Sequence, residues 1–395
     1  MQSQSRNVLV LACCQSTLQV TGVTLVAVTG LAGYAIAADK SLSTVPLTSY
    51  VIGSAISTVP ASLLMNAIGR RAGFQVGAAF GVAGGAICAL AIYLASFWLL
   101  CAGMMVMGFF TAFGKYYRFA AADAAEVSFR AKAISLTLAG GLIGGFFGPE
   151  MAKLTTGAFE GGLTYLAPYL SLMGVALVAM VLLTQLDIPK PTAHERKESG
   201  RPLAQIMTQP VFIVAALAGM LSYGIMNLMM TSTPLAMLAH EHHFNDAAFV
   251  LQWHMIGMYA PSFFTGSLIA RFGVLNVILT GCMLMLVCIV AALTGTELLN
   301  FWLAMSMLGV GWNFMFVGAS ALLTEVHAPA ERAKTQAAND FLIFLTMAIS
   351  SASSGLLLNK SGWHAVNYGS VPFLLLAAVA TMWLMWQRRA ARAAT

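Results

Sequence analysis

Charge is what this sequence has least of. Lys, Arg, Asp and Glu together make up 9% of 395 residues, and the acidic pair contributes only 14 of them. A water-soluble domain carries about 25% charged residues, so a soluble fold is excluded at the outset. Cysteine is scarce too. The six thiols, Cys13, Cys14, Cys88, Cys101, Cys282 and Cys288, form no Cys-x-x-Cys and all fall inside apolar stretches. That excludes a disulfide scaffold and a cysteine-built zinc module. They read as small buried apolar residues, with the adjacent Cys13 and Cys14 kept as a candidate auxiliary thiol site for metal or redox chemistry. No cleavable leader is visible; the first apolar stretch starts at once and acts as its own signal. No nucleophile–base arrangement and no cofactor motif is present, so neither an enzyme nor a prosthetic group is expected.

Long apolar runs are what the chain has in abundance. Hydrophobic residues reach 59% and the mean hydropathy is +0.81. Runs of the ~20 residues needed to cross a bilayer recur twelve times: roughly 8–36, 43–66, 73–95, 97–121, 132–157, 164–186, 210–238, 247–270, 273–295, 298–323, 334–358 and 366–386. All twelve should be helices, because lipid offers backbone polar groups no partner and a closed barrel is the only alternative. The expected class is an all-α polytopic membrane protein with the lipid bilayer as its surroundings.

The net charge of +6 is a topology signal and not a nucleic-acid footprint. With both termini cytoplasmic, 17 of the 20 Lys and Arg fall on the cytoplasmic side, leaving Lys40, Lys153 and Lys360 opposite. The positive-inside rule requires that distribution. Lys115 and Arg118, closing the fourth span, are expected to snorkel to the interface.

The chain is also built twice. Asn66-Ala67-Ile68-Gly69-Arg70-Arg71 follows the second span, and Gly266-Ser267-Leu268-Ile269-Ala270-Arg271-Phe272-Gly273 follows the eighth. Arg130-Ala131-Lys132 precedes the fifth span and Arg332-Ala333-Lys334 the eleventh. Gly69 to Gly273 is 204 positions and Arg130 to Arg332 is 202, so two separate markers agree on nearly one offset. The expected organisation is a six-helix bundle over 1–186, a polar cytoplasmic linker over 187–209 and a second six-helix bundle over 210–395.

Two spans carry a ligand pattern. Met226-x-x-x-Met230 lies in the seventh and His254-x-x-x-Met258 in the eighth, joined by His240-Glu241-His242-His243-Phe244-Asn245-Asp246. Residues four apart share a helix face, so each motif presents two soft ligands together. Thioether and imidazole suit monovalent copper far better than magnesium, calcium or manganese. At 1.5 Å per residue, Met230 and His254 lie ~11 Å below the outer surface, and Met226 and Met258 ~17 Å. With 24 methionines, about 1.5 Met-x-x-x-Met pairs arise by chance, so methionine spacing alone is weak. A histidine inside a membrane span is the stronger signal, since polar groups there are costly. Met229, Met237 and Met255 point to other helix faces and read as packing.

Six spans, a polar linker and six more in the same orientation resemble the major facilitator superfamily of secondary transporters. The resemblance implies two pseudo-symmetric bundles rocking about a site near the bilayer midplane. The loop signature departs from the family pattern at Ser62, Asn66 and Ala270. More narrowly, Met226-Asn227-Leu228-Met229-Met230 and Trp253-His254-Met255-Ile256-Gly257-Met258 resemble the CcoA-type copper importers of that superfamily. This implies that Met226, Met230, His254 and Met258 pass copper, as Cu(I), across a bacterial cytoplasmic (inner) membrane for cytochrome oxidase assembly. A periplasmic copper donor or cytoplasmic copper chaperone is the implied partner, and a monomer is expected.

Around that path, His240, His242 and His243 are candidates for periplasmic copper capture. Asp340 and Glu150 are the candidates for proton coupling, although a structural ion pair is the plainer reading of Asp340. The rival function is proton-coupled drug or metabolite efflux: Gly144-Gly145-Phe146-Phe147-Gly148-Pro149 resembles the first half of an antiporter motif. Its second half is missing at Ala152-Lys153, and the glycines at 140, 141, 144, 145 and 148 are equally explained by close helix packing.

Overall fold

A computed structural model describes residues 2–188 and 200–393. Among them every regular element is helical. Ten helices are long and apolar enough to cross a membrane, and they coincide with ten of the twelve expected spans. The other two are built differently. The eighth is split into Phe244–Tyr259 and Ser262–Phe272, because Pro261 has no N–H to continue the ladder. The eleventh starts at Arg332 and runs with the twelfth in one stretch, Arg332–Ala393, bent at Gly362 (φ 77°, ψ −179°). Its polar first turns and the serines at 350, 351, 353 and 354 keep it less apolar than the rest.

Contacts divide the chain into two compact units. One comprises Met1–Ala125 and Leu136–Glu198; the other comprises Glu126–Ser135 and Ser199–Thr395. The start of the fifth helix, Arg130–Thr155, therefore groups with the second unit. The middle of the expected linker, 189–199, lies outside the described residues.

In the first unit, close approach of the first helix, Gln2–Ile36, to the fifth explains the glycine run. A Cβ on Gly140 would strike the Ala12 carbonyl, one on Gly144 would lie 2.6 Å from the Ser16 carbonyl, and one on Gly148 2.8 Å from Val23 Cβ. Ser16 and Thr24 hydroxyls then reach the Gly140 and Gly148 carbonyls at 2.7 and 3.0 Å. Small residues one turn apart are what lets helices interlock in lipid, so these glycines have a complete packing role. The departure at Asn66 leaves Arg70 well held, because the buried Arg70 guanidinium pairs with Asp123 at 2.9 Å. Arg118 corrects the expected snorkel. The fourth helix, Phe97–Gly114, breaks and resumes as Tyr117–Asp123, turning Arg118 inward. There it is buried, donates to the Lys115 carbonyl at 3.0 Å and lies over the Phe119 ring.

In the second unit the tenth helix, Leu298–Leu323, is the axis. It has no charged residue and is the most buried of the candidate spans, with 83% of its central window inside the structure. Ahead of the seventh helix, Arg201 clamps Glu331 with two charge-assisted bonds of 2.7 and 2.6 Å, and Lys334 Nζ donates to the Arg201 carbonyl.

Candidate transport site

The His254 motif is held against the tenth helix by glycine on both sides. A Cβ on Gly309 would lie 2.5 Å from the His254 carbonyl and 2.8 Å from the Met258 nitrogen; one on Gly257 would lie 2.7 Å from the Ser306 carbonyl. Only hydrogen at both positions permits this backbone contact. The His254 ring is fully buried, and its Nδ1 lies 2.9 Å from the Met305 carbonyl. A carbonyl can only accept, so Nδ1 carries the hydrogen and Nε2 keeps its lone pair. Nε2 is buried with no hydrogen-bond partner. That is the tautomer a metal-ligating imidazole uses when its other ring nitrogen is anchored on a carbonyl.

Met305 also reaches the seventh helix, Pro210–Ala239. The Thr233 hydroxyl lies 3.2 Å from Met305 Sδ and 2.7 Å from the Met229 carbonyl. One residue of the tenth helix thus touches both motif-bearing helices. Met226 and Met258 are buried and Met230 is half-buried. Tyr223 packs on the tenth helix, and Met226 and Met230, three and seven residues further, continue its stripe. Met229 turns instead to the ninth helix, Val274–Leu293, where its sulfur lies 3.9 Å from Cys288 Sγ.

The break after Met258 is filled from the side. Asn313 Nδ2 donates to the Met258 carbonyl at 2.6 Å and to Ser262 Oγ at 2.5 Å, while Thr265 Oγ1 donates to Asn313 Oδ1 at 2.7 Å. Asn313 is fully buried. It supplies the donor that a continuous helix would have taken from residue 262. Below the break, Gly266 N–H donates to Ser135 Oγ at 3.0 Å, and Ser135 donates to the Ser262 carbonyl.

One turn from the methionines stands a cluster of rings. Tyr223 meets Trp312 edge-on at 5.1 Å and Phe316 at 4.8 Å; Tyr259 meets Trp312 at 6.0 Å; Trp312 stacks on Phe316 at 4.9 Å and 19°. Met305, Gly309, Trp312 and Phe316 recur at helical spacing, so one face of the tenth helix meets the histidine, the helix break and the rings in turn.

The remaining candidates are dispersed. His240 and His243 are exposed. His243 caps the eighth helix through the box with Asp246. His242 is held on the Thr296 carbonyl at 2.7 Å and against the Phe301 ring. Among the described residues no three His, Cys, Asp or Glu gather at one point, so the loop holds no preassembled ligand set of that kind. Asp340 is buried and accepts from Asn339 Nδ2 at 2.9 Å; Glu150 is exposed. Cys14 is buried and Cys13 half-buried, both as free thiols. Sequence reasoning did not find Met305 or Asn313. Met305 fixes His254 through its main-chain carbonyl, which no side-chain pattern reveals. Asn313 had one available signal, as an amide in the middle of a span without charge.

Helices of membrane-crossing length packed around buried, uncharged polar side chains define a polytopic membrane protein. The family model described as Major Facilitator Superfamily matches residues 9–260 and 215–395. The riboflavin transporter RfnT of Brucella anthropi is 38% identical over 378 residues, 95% of this chain and 94% of RfnT. The uncharacterized MFS-type transporter YdeG of Bacillus subtilis is 30% identical over 359 residues, 87% of this chain and 83% of its own. Among solved structures, the proton:xylose symporter XylE superposes with a TM-score of 0.78 at 14% identity, covering 98% of this chain and 96% of its own. The Escherichia coli fucose:proton symporter FucP gives 0.76 at 14%, covering 96% and 99%. The chain belongs to the Major Facilitator Superfamily.

Proposed function

We propose that this transporter imports copper, as Cu(I), across the bacterial inner membrane with both termini cytoplasmic. The observation that carries the reading is His254 Nε2, buried, unpartnered and holding its lone pair. Leaving such an atom unsatisfied costs about 1–3 kcal/mol, and a soft cation is the partner that the flanking thioethers favour. Met226, Met230 and Met258 complete a neutral ligand set. It can hold a monovalent ion without a carboxylate's grip, and release matters as much as capture in transport. Delivery to a cytoplasmic copper chaperone for cytochrome oxidase assembly follows from the resemblance at these four positions. Radiocopper uptake by expressing cells tests it against a Met226→Ala/His254→Ala variant shown to reach the membrane. Copper uptake lost in the variant supports import. Equal uptake in both removes these residues from the path, and faster loss of preloaded copper or dye from wild-type cells turns the direction outward.

A second reading is favoured by the 38%-identical riboflavin transporter. On that reading the cargo is a flavin. The same uptake assay with labelled riboflavin decides it, a transported flavin being retained by cells with the chain and absent from cells without it.

A further inference from the structure

We infer that the rings of Tyr223, Tyr259, Trp312 and Phe316 form a binding subsite for a planar heteroaromatic ligand, with the Trp312 indole N–H as its donor; this rests on the riboflavin reading and assigns that cargo a place. Depth is the first argument. Tyr223 is the fourteenth of thirty residues in Pro210–Ala239, and Trp312 the fifteenth of twenty-six in Leu298–Leu323. Tyr259 ends the upper piece of the broken eighth helix. The cluster therefore sits at mid-span, where transporters of this construction bind their cargo.

Hydrogen bonding is the second. Two other tryptophans of this unit frame the comparison: the buried Trp363 donates its Nε1 to the Ala292 carbonyl at 3.0 Å, whereas the Nε1 of the half-buried Trp302 is, like that of Trp312, without a partner. Trp312 is 1% exposed, yet its Nε1 has no partner. Buried tryptophans ordinarily find an acceptor. Simple core packing accounts for the Trp312 rings' contacts and leaves this N–H unexplained. A ring nitrogen or carbonyl of a conjugated ligand would accept from it.

Geometry gives the ligand its shape. Trp312 and Phe316 lie nearly parallel, and Tyr223 stands perpendicular to both, at 88° and 89°. The four rings are buried against one another, so a flat ring system that takes the place of one of them can stack on one wall and meet the edge of another, the two arrangements aromatic pairs prefer. No Asp, Glu, Lys or Arg occurs in either Pro210–Ala239 or Leu298–Leu323, so a neutral ligand fits better than an ionised one. The subsite is separate in residues from the soft-ligand set but adjoins it, since Met226 lies one turn from Tyr223 and Met258 immediately precedes Tyr259.

The test is a fluorescence titration of the full chain in detergent with riboflavin and with lumichrome, the bare tricyclic ring. Three variants accompany the wild type: Trp312→Phe, which keeps a ring and removes the donor, Phe316→Leu, which keeps the donor and removes the stacking wall, and Trp253→Phe as a surface control. Wild type and Trp253→Phe should bind both probes. Trp312→Phe and Phe316→Leu should each bind them about ten-fold or more weakly, the range of one stacking or donor contact. If Trp312→Phe does not fold, Phe316→Leu decides alone. Wild-type affinity in the foldable cluster variants would overturn the subsite and leave the riboflavin reading intact. Failure of the wild type to bind either probe would defeat that reading, and the subsite with it.

Discussion

Replacing Asn313 with alanine should loosen the joint that ends the His254 motif. The side chain makes three buried hydrogen bonds, to the Met258 carbonyl, the Ser262 hydroxyl and from the Thr265 hydroxyl. Thr265 keeps an alternative acceptor in the Pro261 carbonyl at 2.8 Å, so its loss is small. The Met258 carbonyl has no such reserve, because the helix is interrupted there. Stranding it costs about 1–3 kcal/mol and the Ser262 hydroxyl about 1 kcal/mol more. The expected destabilisation is therefore about 2–4 kcal/mol, enough to lower the apparent melting temperature in detergent by several degrees. Asn313→Asp retains the acceptor for Thr265 but presents an oxygen to the Met258 carbonyl, so it should do no better than alanine. Cu(I) competition with a chromogenic chelator should show weaker binding, while His254, oriented separately by Met305, keeps its contribution. A melting temperature within one degree of wild type for both variants would refute the account, since it would mean that another donor satisfies Met258.

The other predictions address the neighbouring contacts. Gly309→Ala pushes a methyl to within 2.5 Å of the His254 carbonyl; helix backbone cannot yield cheaply, so copper uptake should fall at least ten-fold with membrane expression followed by blotting. Glu331 lies in the turn Pro329–Glu331, where the Arg201 hydrogen bonds draw its carboxyl down from 4.5 to about 2. Its folded value is depressed, so its stabilisation is fully present above about 4.5 and is lost as pH falls toward about 2. Melting temperature against pH should show that acid limb in the wild type, and Glu331→Gln should flatten it while melting lower at pH 7.

The long apolar runs made the twelve spans legible, and the i, i+4 spacing made the two motifs legible, because both depend on local periodicity. The parts hidden from sequence depend on partners distant in the chain. Pro261 was visible, yet a single span over 247–270 was expected; what makes a break tolerable is Asn313, some fifty residues later. Arg118 was expected at the interface because basic span ends usually snorkel, and the break at Lys115–Tyr116 turned it inward. His254 was recognisable as an embedded imidazole, but the carbonyl that fixes its tautomer belongs to Met305, whose own side chain gave no hint. Cargo identity is hardest to read, because four ligand positions resemble one transporter type while the length of the chain is 38% identical to a transporter named for another cargo.

The divided eighth helix has a consequence for how the protein is made. Its pieces of 16 and 11 residues rise ~24 Å and ~16 Å, each short of the ~30 Å hydrocarbon layer. During synthesis this segment enters the bilayer before the tenth helix has been translated. The imidazole and the open Met258 carbonyl then wait in the translocon's vicinity without Met305 or Asn313 to quench them. The hydrogen-bond partners of the eighth segment therefore emerge only roughly fifty residues after it.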